Sequence, residues 1–222
     1  MAAHQPNYLP LISFFHKMSQ ADIFVLADDY AYSKHSFVNR TRIKTADGPR
    51  WLTVPVLTKG RSPQLISQVE INPSEAWARK HLRTLHVNYK YAAFFEKYFD
   101  FFETLLARPW KKLLDLNLEI IDYLTSALDL KTRVLLSSEM KLAGHGVERL
   151  CNMLRTLGCE VYLASAEANS YLNRDEFSDS GFTLRFLESK LVPYHQQFGS
   201  FTPDLSVVDL LFNEGRNILV EL

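Results

Sequence analysis

Two acidic residues, Asp28 and Asp29, directly follow a short apolar run at residues 23–26. Carboxylates at the end of a strand can hold Mg²⁺ beside phosphate groups, or accept a proton from an attacking group. Successive side chains of a strand point to opposite faces, so only one of the two is expected to enter a given cleft. The sequence therefore predicts Asp28 or Asp29 as a catalytic residue and Mg²⁺ ligand. A turn or capping aspartate is the structural alternative.

A polar segment at residues 34–44 follows, and it carries Lys34, Arg40, Arg42 and Lys44. Arginine pairs phosphate or carboxylate through two parallel hydrogen bonds, and lysine adds a point charge. A solvated face is the usual reason for a run of charge, but this segment has no amphipathic period that packing would explain. We predict that it binds an anionic substrate, with Asn39 and a catalytic Arg40 as the first choices. Lys59 would add a second contact with the same ligand.

The amino-terminal residues HQPNYLP, at 4–10, lie where a first, very short strand would pass into a loop and a helix. Such turns commonly bind ligands in open α/β sheets, and free N–H groups at the start of a helix attract phosphate. His4 is predicted to be catalytic, and Gln5, Asn7 and Tyr8 are predicted to bind the substrate. The alternative is a rigid turn whose histidine caps a backbone carbonyl.

Four further polar residues are candidates for substrate binding: His81, His195, Ser206 and Asp209. His81 lies on a helix with an apolar face, where a histidine is more often a core group than a catalyst. His195 precedes Gly199, whose conformational freedom suits a loop that meets a ligand. Ser206 lies near the start of the last helix, a second end that could bind an anion. Asp209 could simply anchor that helix.

The elements that would position these residues alternate between strand and helix patterns. Apolar runs of strand length recur at 23–26, 51–57, 69–72, 132–137, 160–164 and 182–187. Helical periodicity covers 11–18, 74–129, 147–157 and 205–213. The strand-helix-strand order requires crossovers, so parallel pairing is expected, with the site at the C-terminal ends of the strands. We predict a single α/β domain over residues 1–222, with a mainly parallel open sheet, flanking helices and a helical insert or lobe at 74–129.

The composition excludes several classes of protein. Lys plus Arg equals Asp plus Glu, at 25 each, so no global positive field would collect nucleic acid. Cys151 and Cys159 are too few for a disulfide framework, and no apolar run has the length of a membrane span. The amino terminus lacks the pattern of a signal peptide. We therefore predict a cytoplasmic protein with no nucleic-acid partner and no membrane span.

Common enzyme motifs are missing from the sequence. It contains no P-loop, G-x-S-x-G, H-E-x-x-H or G-x-G-x-x-G motif. The two cysteines have no nearby histidine partner, so a structural zinc site is rejected.

A series of sequence blocks resembles the WbqC-like family of bacterial proteins, in the same order and at similar spacing: HQPNYLP, FFHKM, ADIFVLADD, SKHSFVNRTRIK, WLTVPV, WARKHL and FGSFTPDLSVVDLLFNEG. The resemblance implies a setting in O-antigen and other surface-polysaccharide biosynthesis clusters, but no settled reaction. Leu11 and Ser13 stand where Trp and Gly are usual in that family. Since a residue larger than Gly restricts the approach of a ligand, the substrate is expected to differ in detail.

The expected function is that of a nucleotidyl-, glycosyl- or acyl-type transferase of surface-polysaccharide assembly. Its substrate would be a phosphate-bearing small molecule such as a nucleotide or nucleotide-sugar, because such transfers need phosphate clamps more than a protein nucleophile. In this hypothesis His4 and Arg40 stabilise developing phosphate charge, while Gln5 and Asn39 orient the donor. One alternative is a non-catalytic binding or scaffold protein for an anionic glycan intermediate or a biosynthetic partner. Another is that the aromatic helices form a homodimer face.

Overall fold

A computed structural model describes residues 1–61, 63–74, 76–188 and 192–216 of the 222-residue chain. Its strands are β1 (Ala2–His4), β2 (Ile23–Leu26), β3 (Arg40–Thr45), β4 (Gly48–Thr53), β5 (Arg133–Leu136), β6 (Val161–Ala164) and β7 (Thr183–Phe186). Its helices are α1 (Ile12–Ser19), α2 (Trp77–Tyr89), α3 (Phe95–Ala107), α4 (Leu113–Ala127), α5 (Gly146–Leu157), α6 (Arg174–Asp179) and α7 (Val207–Glu214). Short 3-10 turns occupy Ile66–Gln68, Ser137–Met140 and Ala166–Ser170.

Five of the strands form one parallel sheet in the order β5-β2-β1-β6-β7. In its register His4 lies opposite Leu26, and Ala2 lies opposite both Phe24 and Leu163. The predicted α/β class with a mainly parallel open sheet and flanking helices is therefore confirmed.

The order of the strands along the chain changes direction between β1 and β6. From β1 the chain moves through α1 to β2 and later to β5 on one side, whereas α5 carries it from β5 across to β6 on the other side. In open α/β sheets such a reversal opens a crevice at the C-terminal ends of the two central strands, and ligands bind there. This topology predicts that a ligand would bind beside the residues that follow His4 and Ala164.

The sheet separates two cores, as the alternation of side chains along β2 makes clear. Phe24 and Leu26 belong to the larger core, which includes Phe14 of α1. Val25, between them, belongs to a second core with Leu154 of α5. The first helix and the fifth therefore cover opposite faces, and the crevice between β1 and β6 opens between them.

Helices α2, α3 and α4 lie between β2 and β5 in the chain, within the segment predicted to be helical. The aromatic stripe of α3 packs against the last helix, with ring centroids of Phe95 and Phe102 at 5.2 and 5.8 Å from that of Phe212. These rings are buried within the larger core. A dimer face on these helices would therefore have to use other, outward-facing residues. No helix in the described ranges is long and apolar enough to cross a membrane.

The polar segment at residues 34–44, for which no strand was predicted, contains one. Residues Arg40–Thr45 form β3, which pairs with β4 in an antiparallel hairpin apart from the main sheet. The β-branched residues Thr41, Ile43 and Thr45 alternate with the basic ones, and this period of two favours a strand. Thr41 and Ile43 are fully buried. The basic residues from Arg40 to Lys44 therefore lie on a paired strand rather than in a loop.

Candidate functional site

Two adjoining cavities lie over the C-terminal ends of β1 and β6. The tyrosine cavity, of about 460 Å³, is lined by Tyr30, Tyr162, Tyr171 and the start of α5. The charged cavity, of about 550 Å³, is lined by Asn7, Arg42, Glu167 and Asp204, among others. His4, Lys17 and Ser165 line both cavities. The two therefore form a single cleft at the point where the strand order reverses.

Lys17 lies at the junction of the two cavities and is only 4% exposed. Its ammonium group donates a 2.9 Å hydrogen bond to the carbonyl oxygen of Ala3 in β1. Burial lowers the pKa of Lys17 to about 8, although the nearby carboxylate of Glu167 raises it. No carboxylate of the described residues is bonded to Lys17. A buried cation of this kind at the wall of a cleft is well suited to bind an anion.

Lys17 was not among the residues predicted from sequence. It belongs to FFHKM and lies three residues after Phe14, on the face of α1 that packs in the core. Since lysine is almost never fully buried unless it is paired, a lysine on the apolar face of a helix was the signal that could have identified it.

His4 lies beside Lys17 at the end of β1. Its Nδ1 is 3.0 Å from the carbonyl oxygen of Gln5, so this nitrogen carries the proton in the neutral ring and Nε2 remains an acceptor. Burial, together with the positive charge of Lys17, lowers the pKa of His4 to about 3. His4 is therefore neutral at physiological pH. It can form hydrogen bonds with a substrate, but the positive charge expected of it is supplied by Lys17.

The loop after His4 is held in place by buried hydrogen bonds. The side-chain amide of Asn117 in α4 donates 2.8 Å bonds to the carbonyl oxygens of Pro6 and Val38. Leu9 has a φ of 42°, and its carbonyl oxygen accepts bonds of 2.8 Å from Thr41 and Ser206. These contacts fix a strained backbone position next to the cleft.

Tyr8 and His81 form a pair in the core, away from the cleft. The Tyr8 hydroxyl lies 2.9 Å from Nδ1 of His81, and both side chains are buried. Burial lowers the pKa of His81 to about 4. This hydrogen bond joins two buried side chains within the protein, which suits a structural role.

The basic residues of β3 separate into different environments. Arg42 reaches the charged cavity, where its guanidinium donates a 3.1 Å bond to the carbonyl oxygen of Asp204. Its buried Nε has no hydrogen-bond partner among the described residues. Arg40 instead stacks on Trp51, with 4.1 Å between the guanidinium carbon and the ring centroid. Asn39 is buried and donates to the carbonyl oxygen of Val54 at 2.8 Å.

The loop before α7 is joined to the hairpin by a buried polar network. The ammonium group of Lys44 donates to Gln196 at 3.1 Å and also bonds the carbonyl oxygen of Ser200. Asp209 accepts bonds of 2.6 and 2.7 Å from the hydroxyls of Tyr89 and Tyr194. Burial raises the pKa of the Asp209 carboxyl despite these bonds. The network places Asp204 and its carbonyl beside Arg42.

The amino end of α7 offers no ready anion site at its first residues. Ser206 is fully buried and its backbone N–H donates to the carbonyl oxygen of Arg42. The next N–H, of Val207, donates to Pro10, and that of Val208 donates to the Ser206 hydroxyl. Internal acceptors thus occupy the donors that an anion would need.

Asp28 and Asp29 are both engaged in hydrogen bonds beside β5. Asp28 is buried and accepts a 3.0 Å bond from the backbone N–H of Ser138. Asp29 accepts a 2.5 Å bond from the Ser137 hydroxyl and pairs with Arg149. Neither lines the two cavities, and no group of three or more potential metal ligands occurs among the described residues. This arrangement does not fit the predicted Mg²⁺ site.

The structure brings together only part of the predicted site. His4, Gln5, Asn7 and Arg42 line the cleft, Gln5 in the tyrosine cavity and Asn7 in the charged one. Three other predicted residues have exposed side chains and line neither cavity: Lys34, Lys59 and His195. The residues after β6, including Ser165 and Tyr171, were not predicted as site residues, because they carry no charge and belong to no recognised catalytic motif.

Two comparisons with known proteins each match most of the chain. The model of the WbqC-like protein family matches residues 5–220. The uncharacterized protein Rv1507c of Mycobacterium tuberculosis is 34% identical over 217 residues, which cover 97% of this chain and 94% of that protein. No solved structure matches the chain.

Proposed function

Because this chain belongs to the WbqC-like protein family, we propose that it is a transferase-like enzyme of surface-polysaccharide biosynthesis that binds a phosphate-bearing small molecule in the cleft over β1 and β6. The family's association with O-antigen clusters supports the setting. The observation that carries the chemistry is the position of Lys17, a buried cation at the junction of two cavities.

Three groups would act on the substrate in this proposal, two of them on its phosphates. Lys17 binds one phosphate as a point charge, and Arg42 binds a second anionic group across the charged cavity through its guanidinium. The neutral ring of His4 accepts a hydrogen bond through Nε2 from a hydroxyl of the substrate, because an ionised phosphate offers no donor. A low-dielectric cleft strengthens each of these interactions, because water no longer screens the charges.

Calorimetric titration tests the anion site directly. The probes are pyrophosphate, nucleoside diphosphates and nucleotide-sugars, each with the wild-type protein and with Lys17→Met. Lys80→Met is a matched control because Lys80 is exposed on α2, away from both cavities. Binding that is lost in Lys17→Met and kept in Lys80→Met supports the proposal. Equal binding by all three proteins, or no binding at all, contradicts it.

A non-catalytic binding protein is the second candidate, and the acidic residues favour it. Asp28 is bonded to Ser138 and Asp29 pairs with Arg149. Neither carboxylate is therefore free to act as a base or to hold a metal in the cleft. Mass spectrometry of a bound nucleotide-sugar after long incubation, with and without candidate acceptor sugars, separates the two functions. An unchanged ligand in every mixture favours the binding protein, and a new glycosylated, nucleotidylated or acylated product favours the enzyme.

A further inference from the structure

The two cavities of the cleft differ in chemistry. Among the described residues that line the tyrosine cavity, Lys17 is the one with a formal charge at neutral pH, and it stands at the boundary. The charged cavity adds Arg42, Glu167 and Asp204 on its own side. A ligand that fills both cavities must therefore have an uncharged part and a polar or charged part, joined near Lys17.

The tyrosine cavity combines ring faces with hydrogen-bond donors. The ring of Tyr162 is backed by Phe177 in a stacked arrangement, with 5.7 Å between centroids. Burial raises the pKa of Tyr162 and of Tyr30, so both hydroxyls remain protonated. Tyr171 is 73% exposed at the rim, where its ring is free to cover a planar group. A lipid chain would leave the donors unpaired, whereas a nucleobase and a ribose present both flat faces and polar edges.

We infer that the substrate is a nucleoside phosphate, with its base and ribose in the tyrosine cavity, its phosphates at Lys17, and the remainder of the molecule directed into the charged cavity. The inference rests on the proposed function and names the substrate class of the same site. Both cavities fall within the size range of small-molecule sites.

Affinities for ADP, GDP, CDP, UDP and pyrophosphate, measured by calorimetry on the full chain, test this assignment. At least one nucleoside diphosphate should bind about tenfold or more tightly than pyrophosphate, the gain expected from stacking one base on an aromatic ring. Val147→Trp fills the cavity from the start of α5 and should abolish this gain while pyrophosphate affinity stays unchanged.

A rim variant keeps the test informative if Val147→Trp fails to fold. Tyr171→Ala removes an exposed ring and should reduce nucleotide affinity several-fold. Tyr91→Ala is its matched control, because Tyr91 is 82% exposed and lines neither cavity. Equal effects of these two substitutions on nucleotide affinity contradict the assignment.

The outcomes separate the inference from the proposed function. If pyrophosphate binds through Lys17 as tightly as all four nucleotides, the nucleoside assignment is wrong and the phosphate site stands. If neither pyrophosphate nor any nucleotide shows binding that depends on Lys17, both are wrong.

Discussion

Lys17→Met should stabilise the protein at neutral pH, although it removes the central cation of the proposed site. The folded protein lowers the pKa of Lys17 from 10.5 to about 8, mainly through burial. Each pKa unit corresponds to about 1.4 kcal/mol, so the buried ammonium destabilises the fold by about 3 kcal/mol at pH 7. The substitution also removes the hydrogen bond to the carbonyl oxygen of Ala3, and this loss offsets about 1 kcal/mol of the gain in stability. The variant should therefore gain about 2 kcal/mol in free energy of unfolding.

The pH dependence gives the more specific signature. Between pH 8 and 10.5 the unfolded chain keeps the Lys17 proton while the folded protein loses it, so wild-type stability rises with pH. The advantage of Lys17→Met should accordingly shrink by about 2–3 kcal/mol between pH 7 and pH 10. Other titrating groups are common to both proteins and cancel in the comparison.

Urea unfolding of the wild type, Lys17→Met and Lys80→Met at pH 7 and pH 10 measures this difference. Lys80→Met should match the wild type at both values, because Lys80 is exposed and no buried ammonium is removed. A Lys17→Met protein that is destabilised by the same amount at pH 7 and pH 10 would refute the reasoning. In that case Lys17 would act through packing rather than as a desolvated charge.

Three further predictions follow from neighbouring groups. Affinity for pyrophosphate should fall as pH rises through about 8, since Lys17 then loses its charge, and calorimetry of Lys80→Met should show the same step. Acidification from pH 6.5 to 4 should reduce the free energy of unfolding, because His81, with its pKa lowered to about 4, stays neutral while the unfolded chain binds a proton; urea unfolding of His81→Asn should show a shallower dependence. Asn117→Leu should cost about 2–4 kcal/mol by leaving the carbonyls of Pro6 and Val38 unpaired, and a pyrophosphate affinity equal to the wild type would argue that the loop needs no such support.

Local sequence pattern was sufficient for the main architecture. The apolar runs at 23–26 and 160–164 became β2 and β6, and α5 ends where Gly158 takes a φ of 65°. Such features depend on near neighbours in the chain, through side-chain periodicity and backbone sterics. The alternation of basic and β-branched residues along Arg40–Thr45 also favours a strand, although the high charge of this segment is more typical of a solvated loop.

The composition of the site was decided by tertiary structure. Charge and motif identified His4, Asn7 and Arg42, which the fold does bring to one cleft. The same criteria selected Asp28 and Asp29, whose partners lie more than a hundred residues away on the β5 side, and missed Lys17, whose environment depends on β1 and β6. A side chain's charge is set by its residue type, whereas its desolvation and its partners depend on which distant segments pack around it. The sequence alone therefore determined most of the elements, and only their packing determined which polar side chains line the cleft.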